Sequence, residues 1–546
     1  MRKLLIIIGV LFLFIQNSFS QEISNKVDIN LGAEQKESKK ITLSDIAGYD
    51  ETGFYAVKRK RNAFGFVSSI TLEHFDNKQN FTKSVELDLK YQKKDMYYRF
   101  IIHINDELFL FSSFKNQKLK QNFLFIQSID KNTLELKQGL KKIAQIDYSG
   151  KGRRNAGNFN YRLSRDSSKV LIYYDLPYDK GSKEKFGFHV FDKNLNQLWE
   201  KKVTLPYNDE LFDIKNYKVD NLGNVHLLGR IIPERVKGDL YGKLKYKHQI
   251  LSYLNNGNDL KEYLVEIEGK FLSEMQIELN DDQDIMCGGF YSDTYTKVHS
   301  DVGYKIGSDA ATGTYFIKID GNSKEIINKN FKEFGVDFIT QNMSEKQKKK
   351  TEKKIEKGKK NADIRRYDLK DFIIREDGRA FLIGEQYYVN ISEQYYTDSK
   401  GDRKSKKVYT YYYNDIIVIN ISPEGKIEWA TKIPKRQRTV DDGGFYSSYA
   451  HSVVNDKLYF VFNDNPENLS YDGVGTPAIF TKGRNSIVVL VELNSKGDYT
   501  RETLFSTKDE EIFTRPKVCE QISEKEMILY GQKKRTHRFA KITFKD

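Results

Sequence analysis

The chain has 546 residues and a formal charge of +14, with 39% hydrophobic and 30% charged residues, a balance that suits a soluble fold whose strands each bury one face. Only two cysteines are present, which excludes a disulfide scaffold, and the basic balance favours anionic neighbours such as acidic glycans, lipid head groups or nucleic acid. Tyrosine and phenylalanine number 35 each against eight prolines, a bias towards strands, because aromatic rings pack on a pleated surface and proline breaks its ladder.

Residues 1–20 carry the pattern of a secretory signal: Arg2 and Lys3, the apolar run Leu4–Ile15, then Ser18 and Ser20 before Gln21. The apolar run is shorter than the ~20 residues a membrane span needs. Cleavage after Ser20 removes two positive charges, leaving +12 and no transmembrane segment. No cysteine follows the run, which argues against a lipid anchor.

Val27–Leu31 then alternates as one isolated strand, followed by the polar stretch Gly32–Lys40. From Ile41 a unit of two hairpins repeats. Its outer turns fall at Phe75-Asp76, Ile129-Asp130, Phe191-Asp192, Leu254-Asn255, Ile319-Asp320, Ile421-Ser422 and Leu493-Asn494, spaced 54, 62, 63, 65, 102 and 72 residues apart. That spacing fits four-stranded units, one enlarged by an insertion. Polar turns between short apolar runs supply the hairpins, as in Phe100–Ile104, Asn105-Asp106, Leu108–Ser112. In the second unit Leu134–Ile143 reads as the fourth strand. Trp199 and Trp429 each stand seven residues after a turn marker, a shared placement that predicts packing between neighbouring sheets in preference to ligand stacking. Near the end, Lys517–Ile522, Met527–Tyr530 and Arg538–Phe544 make three strands of an eighth unit, and Val27–Leu31 can complete it. The expectation is an all-β propeller of eight four-stranded blades, with seven as the alternative, closed by an N-terminal strand and spanning residues 21–546 as one domain.

This repeat grammar resembles secreted bacterial β-propellers and is loosely similar to the quinoprotein-like and six-bladed-lipoprotein-like groups. The Trp-Asp ending of WD repeats is absent, and a kelch-like glycine pair occurs once, at Gly288-Gly289. Ser422–Trp429 resembles the Asp-box of sialidase-like propellers in length, with Glu424 for the usual Asp and Gly425 one place early.

Two segments interrupt the repeat. Ser344–Lys360 holds nine lysines against Glu345, Glu352 and Glu356, with Asn342 or Ser344 as a cap and Gly358 as a stop. It reads as a solvated helix within an insertion at about 342–366, and Lys348, Lys349, Lys350, Lys353, Lys354 and Lys357 are its candidate contacts to an anion or partner. Its lack of an apolar face argues against burial in lipid. In the sixth unit Tyr387, Tyr388, Tyr395 and Tyr396 precede a basic turn, Lys400–Lys407. A two-stranded arm packed on the neighbouring blade explains these letters; a surface of aromatic contacts with sugars or bases is the alternative.

The eight histidines lie far apart, and no nucleophile elbow or phosphate-cradling loop is present. Asp281, Asp282 and Asp284 at a turn serve turn formation in preference to calcium. The expectation is therefore a non-catalytic binding or scaffold protein, exported to the cell envelope with the periplasm favoured. It needs no cofactor or metal, and its partner is an envelope protein or glycan, with an anionic surface as a further candidate and nucleic acid disfavoured. A glycan-active hydrolase or lyase, and a polyanion-binding module, are the alternatives.

Overall fold

A computed structural model describes residues 23–148, 156–176, 181–234, 246–292, 310–358, 363–482, 486–510 and 512–545. The signal-like segment 1–20, His299, Lys359 and Lys360 lie outside the described residues.

Eight antiparallel sheets follow one another along the chain. The inner strands of blades 1 to 7 are Ile41–Asp50, Tyr97–Ile104, Asn158–Leu163, Phe212–Val219, Phe271–Leu279, Tyr367–Ile374 and Ala450–Val454. In each, the next three strands run outward in sequence order. Blade 8 is composite: Glu526–Lys533 and Thr536–Phe544 form its middle, and Val27–Leu31 pairs with the latter from Val27↔Phe544 to Leu31↔Ala540. The isolated N-terminal strand thus closes the ring, and the eight sheets rule out the seven-bladed alternative.

Strand alternation explains why the sheets form a ring. Along Gly53–Arg61, Phe54 and Ala56 join an apolar cluster with Tyr530 and Phe539 of blade 8, while Tyr55 and Val57 join Ile101 and Leu110 of blade 2. Each blade offers an apolar surface on both sides, and one cluster fills every one of the eight interfaces. Strands buried on both faces read as near-continuous apolar runs, as in Ile487–Leu493.

Two strand boundaries differ from the sequence reading. The fourth strand of blade 2 is Lys141–Asp147, because Leu134 adopts φ +62° in the turn and is buried there. The inner strand expected at Lys517–Ile522 is split into Phe513–Thr514 and Glu520–Gln521 by a 3-10 turn at Pro516–Val518; proline has no N–H for the ladder. The insertion before blade 6 contains two helices, α1 (Val336–Thr340) and α2 (Glu345–Glu356).

Both tryptophans pack between blades. Trp199 donates Nε1–H to the Gly223 carbonyl at 3.0 Å and Trp429 donates to the Ser495 carbonyl at 2.8 Å. Each ring lies on a glycine in an outer turn of the next blade, Gly257 or Gly497, where a Cβ would stand 2.6 or 2.9 Å from the indole.

Candidate functional site

The two faces of the ring are built differently. On one, the connections are tight turns. Asn105-Asp106 and Asn455-Asp456 have positive φ at both positions, the requirement of the two-residue turn that matches strand twist. Asp76 and Asp192 accept backbone N–H groups two and four residues on, from Lys78 and Asn80 and from Asn194 and Asn196, and Asn494 does the same for Lys496 and Asp498. On the other face lie the links between blades and the second-to-third strand connections. The insertion with α1 and α2 is one of the former, and the arm of blade 6 is one of the latter.

The arm consists of Ala380–Thr397 and Arg403–Ile421, paired without interruption from Tyr387↔Tyr413 to Thr397↔Arg403. Its twelve residues beyond Glu385 rise roughly 40 Å at the usual strand spacing. Tyr387 and Tyr388 lie at the base, half-buried; Tyr387 packs at a tilt on Tyr413 at 4.7 Å and Tyr388 stacks on Tyr412 at 4.5 Å. Tyr395 and Tyr396 lie near the tip, 57% and 46% exposed, and alternation turns them to opposite faces. The Arg403 guanidinium sits 4.9 Å from the Tyr395 ring centre.

Helix α2 begins in a reciprocal cap: Ser344 Oγ accepts from the Gln347 amide and Gln347 Oε1 accepts from the Ser344 amide. Gly358 follows its end with φ +63°. Lys349, Lys350, Lys353, Lys354 and Lys357 are exposed, whereas Lys348 is half-buried and pairs with Asp337 at 3.3 Å. The helix lies down on its Lys348, Thr351 and Ile355 side; Phe338 and Ile339 of α1 join the apolar cluster between blades 5 and 6.

The insertion and the arm meet. Tyr387 donates its amide to the Arg366 carbonyl at 2.9 Å, Gln386 donates to the Arg365 carbonyl at 3.1 Å, and the Arg366 guanidinium lies 4.6 Å from the Tyr388 ring centre. The insertion that carries the lysine helix and the base of the tyrosine arm therefore meet in one basic, aromatic surface at the edge of blade 6.

A buried polar network fixes the base of that surface, and the sequence reading missed it. Lys435 Nζ donates to Glu385 Oε1 at 2.8 Å, to the Tyr413 carbonyl at 3.1 Å and to Gln437 Oε1 at 3.2 Å. Ser448 donates to the other Glu385 oxygen at 2.8 Å, and Gln437 donates to the Asn463 carbonyl of blade 7. Glu385, Lys435, Gln437 and Asn463 are fully buried. Burial pushes the Lys435 ammonium below its ordinary pKa against the opposing pull of Glu385. In sequence, Lys435-Arg436-Gln437-Arg438 looks like exposed polar loop; the only signal was its place directly after a strand of the enlarged unit.

Two further acidic clusters are occupied by the protein's own cations. Asp50, His103 and Asp106 present ligand atoms within 4.8 Å of one another, the one such group among the described residues, but Lys131 Nζ sits between the acids, 2.7 Å from Asp50 and 2.5 Å from Asp106. At the acidic turn of blade 5, Asp281 pairs with Arg165 and Asp284 with Lys318. Arg165, from blade 3, also donates to the Ile374 carbonyl of blade 6, so its side chain crosses the tight-turn mouth of the axis. Further up the axis, burial and then the charge of Asp45 push the Glu520 carboxyl up to about 7. Tyr98 donates to Asp45 at 3.4 Å.

No known protein family matches the chain, and no curated protein matches it in sequence. Among solved structures it is similar to a variant of Synechocystis apocarotenoid oxygenase at 9% identity, covering 89% of this chain and 95% of that one with a TM-score of 0.36. It is also similar to the WD40 domain of SCAP from fission yeast, at 7% identity, 94% and 98% coverage and a TM-score of 0.34. A Bacteroides caccae protein of unknown function matches at 9% identity over 67% of this chain and 90% of its own, with a TM-score of 0.26. Among the described residues no helix is long and apolar enough to cross a membrane.

Proposed function

We propose that this propeller is an exported, non-catalytic binding or scaffold protein of a bacterial cell envelope, favoured in the periplasm, and that it engages an anionic envelope partner through the surface of blade 6. The observation that carries the reading is the joining of the insertion to the arm at Arg365-Arg366: two basic excursions separated in sequence emerge on one face of the ring at blade 6. Lys349, Lys350, Lys353, Lys354 and Lys357 supply charge without acidic partners in ion-pair range, and Tyr395 and Tyr396 supply ring faces beside Arg403. An amphipathic surface of this kind holds phosphorylated or acidic glycans and acidic protein segments. Export rests on the N-terminal sequence pattern.

The test is fractionation of cells producing the wild type or a variant with Lys349, Lys350, Lys353 and Lys354 changed to Glu. The variant is expected to leave the envelope fraction, and the wild type to be released as salt rises. Equal envelope retention of both proteins at every salt concentration overturns the reading.

A second reading, a glycan-active hydrolase or lyase, draws support from the pairing of a raised Glu520 with Asp45 on the axis. It requires glycan cleavage that Glu520→Gln abolishes without lowering thermal stability.

A further inference from the structure

Between blades 1 and 2, on the same face but across the ring from blade 6, lies a cleft of about 570 Å³ that the sequence did not signal. The size is that of a small-ligand site. One wall is Arg59 with Val67–Ile70, and the other is the segment Glu86–Arg99, folded into a small hairpin. The hairpin is anchored from behind: Met96 donates its amide to the Leu89 carbonyl at 2.8 Å, and the Tyr91 ring lies 4.7 Å from Phe125 and 5.2 Å from Phe114. The walls are thus preformed.

The polar groups in the cleft are unequally satisfied. Alternation aims Lys58 to the blade 8 side, where Glu73 of its own blade pairs with it at 2.7 Å, and Arg59 to the blade 2 side, where it pairs with no acid among the described residues. The Arg59 guanidinium lies 5.2 Å from the Tyr98 ring centre, and its Nε is buried without a hydrogen-bond acceptor. Arg99 lines the same cleft as the extra residue of a β-bulge, between Tyr98 and Phe100. Among the described residues its hydrogen-bond partners are the neutral Ser113, at 2.7 Å, and Asn158, at 2.8 Å. Burial pushes its pKa down to about 10, as expected of a cation without a counter-ion. Glu86, Asp88 and Asp95 line the cleft too, and none is ion-paired with either guanidinium. Leu87, Leu89 and Met96 add an apolar strip. The turn that leads into the wall at Val67 carries Phe64 and Phe66, 85% and 70% exposed.

We propose that this cleft binds a uronic acid residue of an acidic glycan, its carboxylate held by Arg59 with the charge of Arg99 behind it. A carboxylate completes the planar fork of a guanidinium that lacks an acceptor. The sugar hydroxyls meet Ser68 and the acceptors Glu86 and Asp88, and the C–H faces meet Met96, Leu87 and the phenylalanine lip. A bare inorganic anion uses the arginine alone and leaves the acids and the apolar strip without a role. The site is independent of blade 6, so its failure leaves the function proposed above untouched.

The test is calorimetric titration of the full mature chain with galacturonic acid trimer, galactose trimer and a tripeptide with a free C-terminal carboxylate. The acidic trimer is expected to bind at least tenfold more tightly than both others, and Arg59→Gln to weaken it at least tenfold. Arg99→Gln removes the second charge and is expected to weaken binding in the same direction, with thermal unfolding confirming that both variants fold. The blade 6 lysine variant is expected to bind the acidic trimer as the wild type does. Equal binding of acidic and neutral trimers, no binding of the acidic trimer at millimolar concentration, or equal binding of the tripeptide each overturns the proposal.

Discussion

Replacing Lys435 by Met removes one ammonium from a site where Glu385, Gln437 and the Tyr413 carbonyl all face it and no part of the pair is exposed. The methionine fills similar volume, so the loss is electrostatic. Breaking a buried ion pair from one side leaves the remaining charge without compensation and costs about 3–5 kcal/mol. The double variant Lys435→Met, Glu385→Gln removes both charges and preserves an acceptor for Ser448; it is expected to recover at least half of that loss. Because Lys435 ties Glu385, at the root of the arm, to the Tyr413 carbonyl on its return strand, the single variant should also loosen the arm. The assays are thermal unfolding and limited trypsin digestion, in which cleavage within Lys400–Lys407 should accelerate in the single variant and return towards the wild-type rate in the double. A single variant within about 1 kcal/mol of the wild type, or a double variant no more stable than the single, refutes the assignment of this network as the arm's anchor.

Gly257→Ala and Gly497→Ala place a Cβ against an indole at positive φ and should each cost about 1–3 kcal/mol in thermal unfolding. Gly269→Ala, at φ +70° in open space, should cost only about 1 kcal/mol, and equal losses at all three sites would count against the tryptophan clamp. Burial holds the folded-state pKa of His248 and His537 down to about 3, so these groups contribute stability above pH 6.5 that is lost as pH falls towards 3, by up to about 1.4 kcal/mol per unit each. Glu184 behaves oppositely: burial and Asp209 raise it to about 8, so stability it supplies below pH 4.5 is lost as pH rises to 8, and Glu184→Gln should flatten the alkaline side of a stability profile. Removing residues 21–31 exposes the edge of Thr536–Phe544, and concentration-dependent association measured by light scattering is the expected result.

Much of the ring could be read because its grammar is local. The aspartate or asparagine that opens an outer turn accepts the amides of that same turn, and the alternation of Val27–Leu31 survives without a sequence neighbour to pair with. What could not be read depends on which faces meet. Arg59 sits in Lys58-Arg59-Lys60-Arg61, a run that looks uniformly solvated, yet alternation sends Lys58 to one interface, Arg59 to the next and leaves Lys60 outside. Arg99 follows no alternation because the bulge displaces it. The meeting of the insertion with the arm was within reach: a link between blades and a second-to-third strand connection always emerge on the same face of a four-stranded antiparallel blade, and blade 6 owns one of each.

That parity also explains how the molecule combines a rigid frame with extended excursions. On the tight-turn face, indoles, Asx turns and the cross-axis Arg165 leave little room for elaboration, and a Cβ at Gly257 or Gly497 already collides with its clamp. Insertions accumulate on the opposite face, where each begins and ends on strands buried on both sides. A long hairpin rooted only by its own ladder would bend freely with respect to the ring, since an isolated two-stranded ribbon is marginal in water. The Glu385–Lys435–Gln437 network and the Tyr387–Arg366 hydrogen bond tie its root to blade 7 and to the insertion, so the root of the arm is held in one orientation. A partner that contacts the arm therefore meets a root already ordered, and its affinity is less reduced by the entropy of ordering that segment.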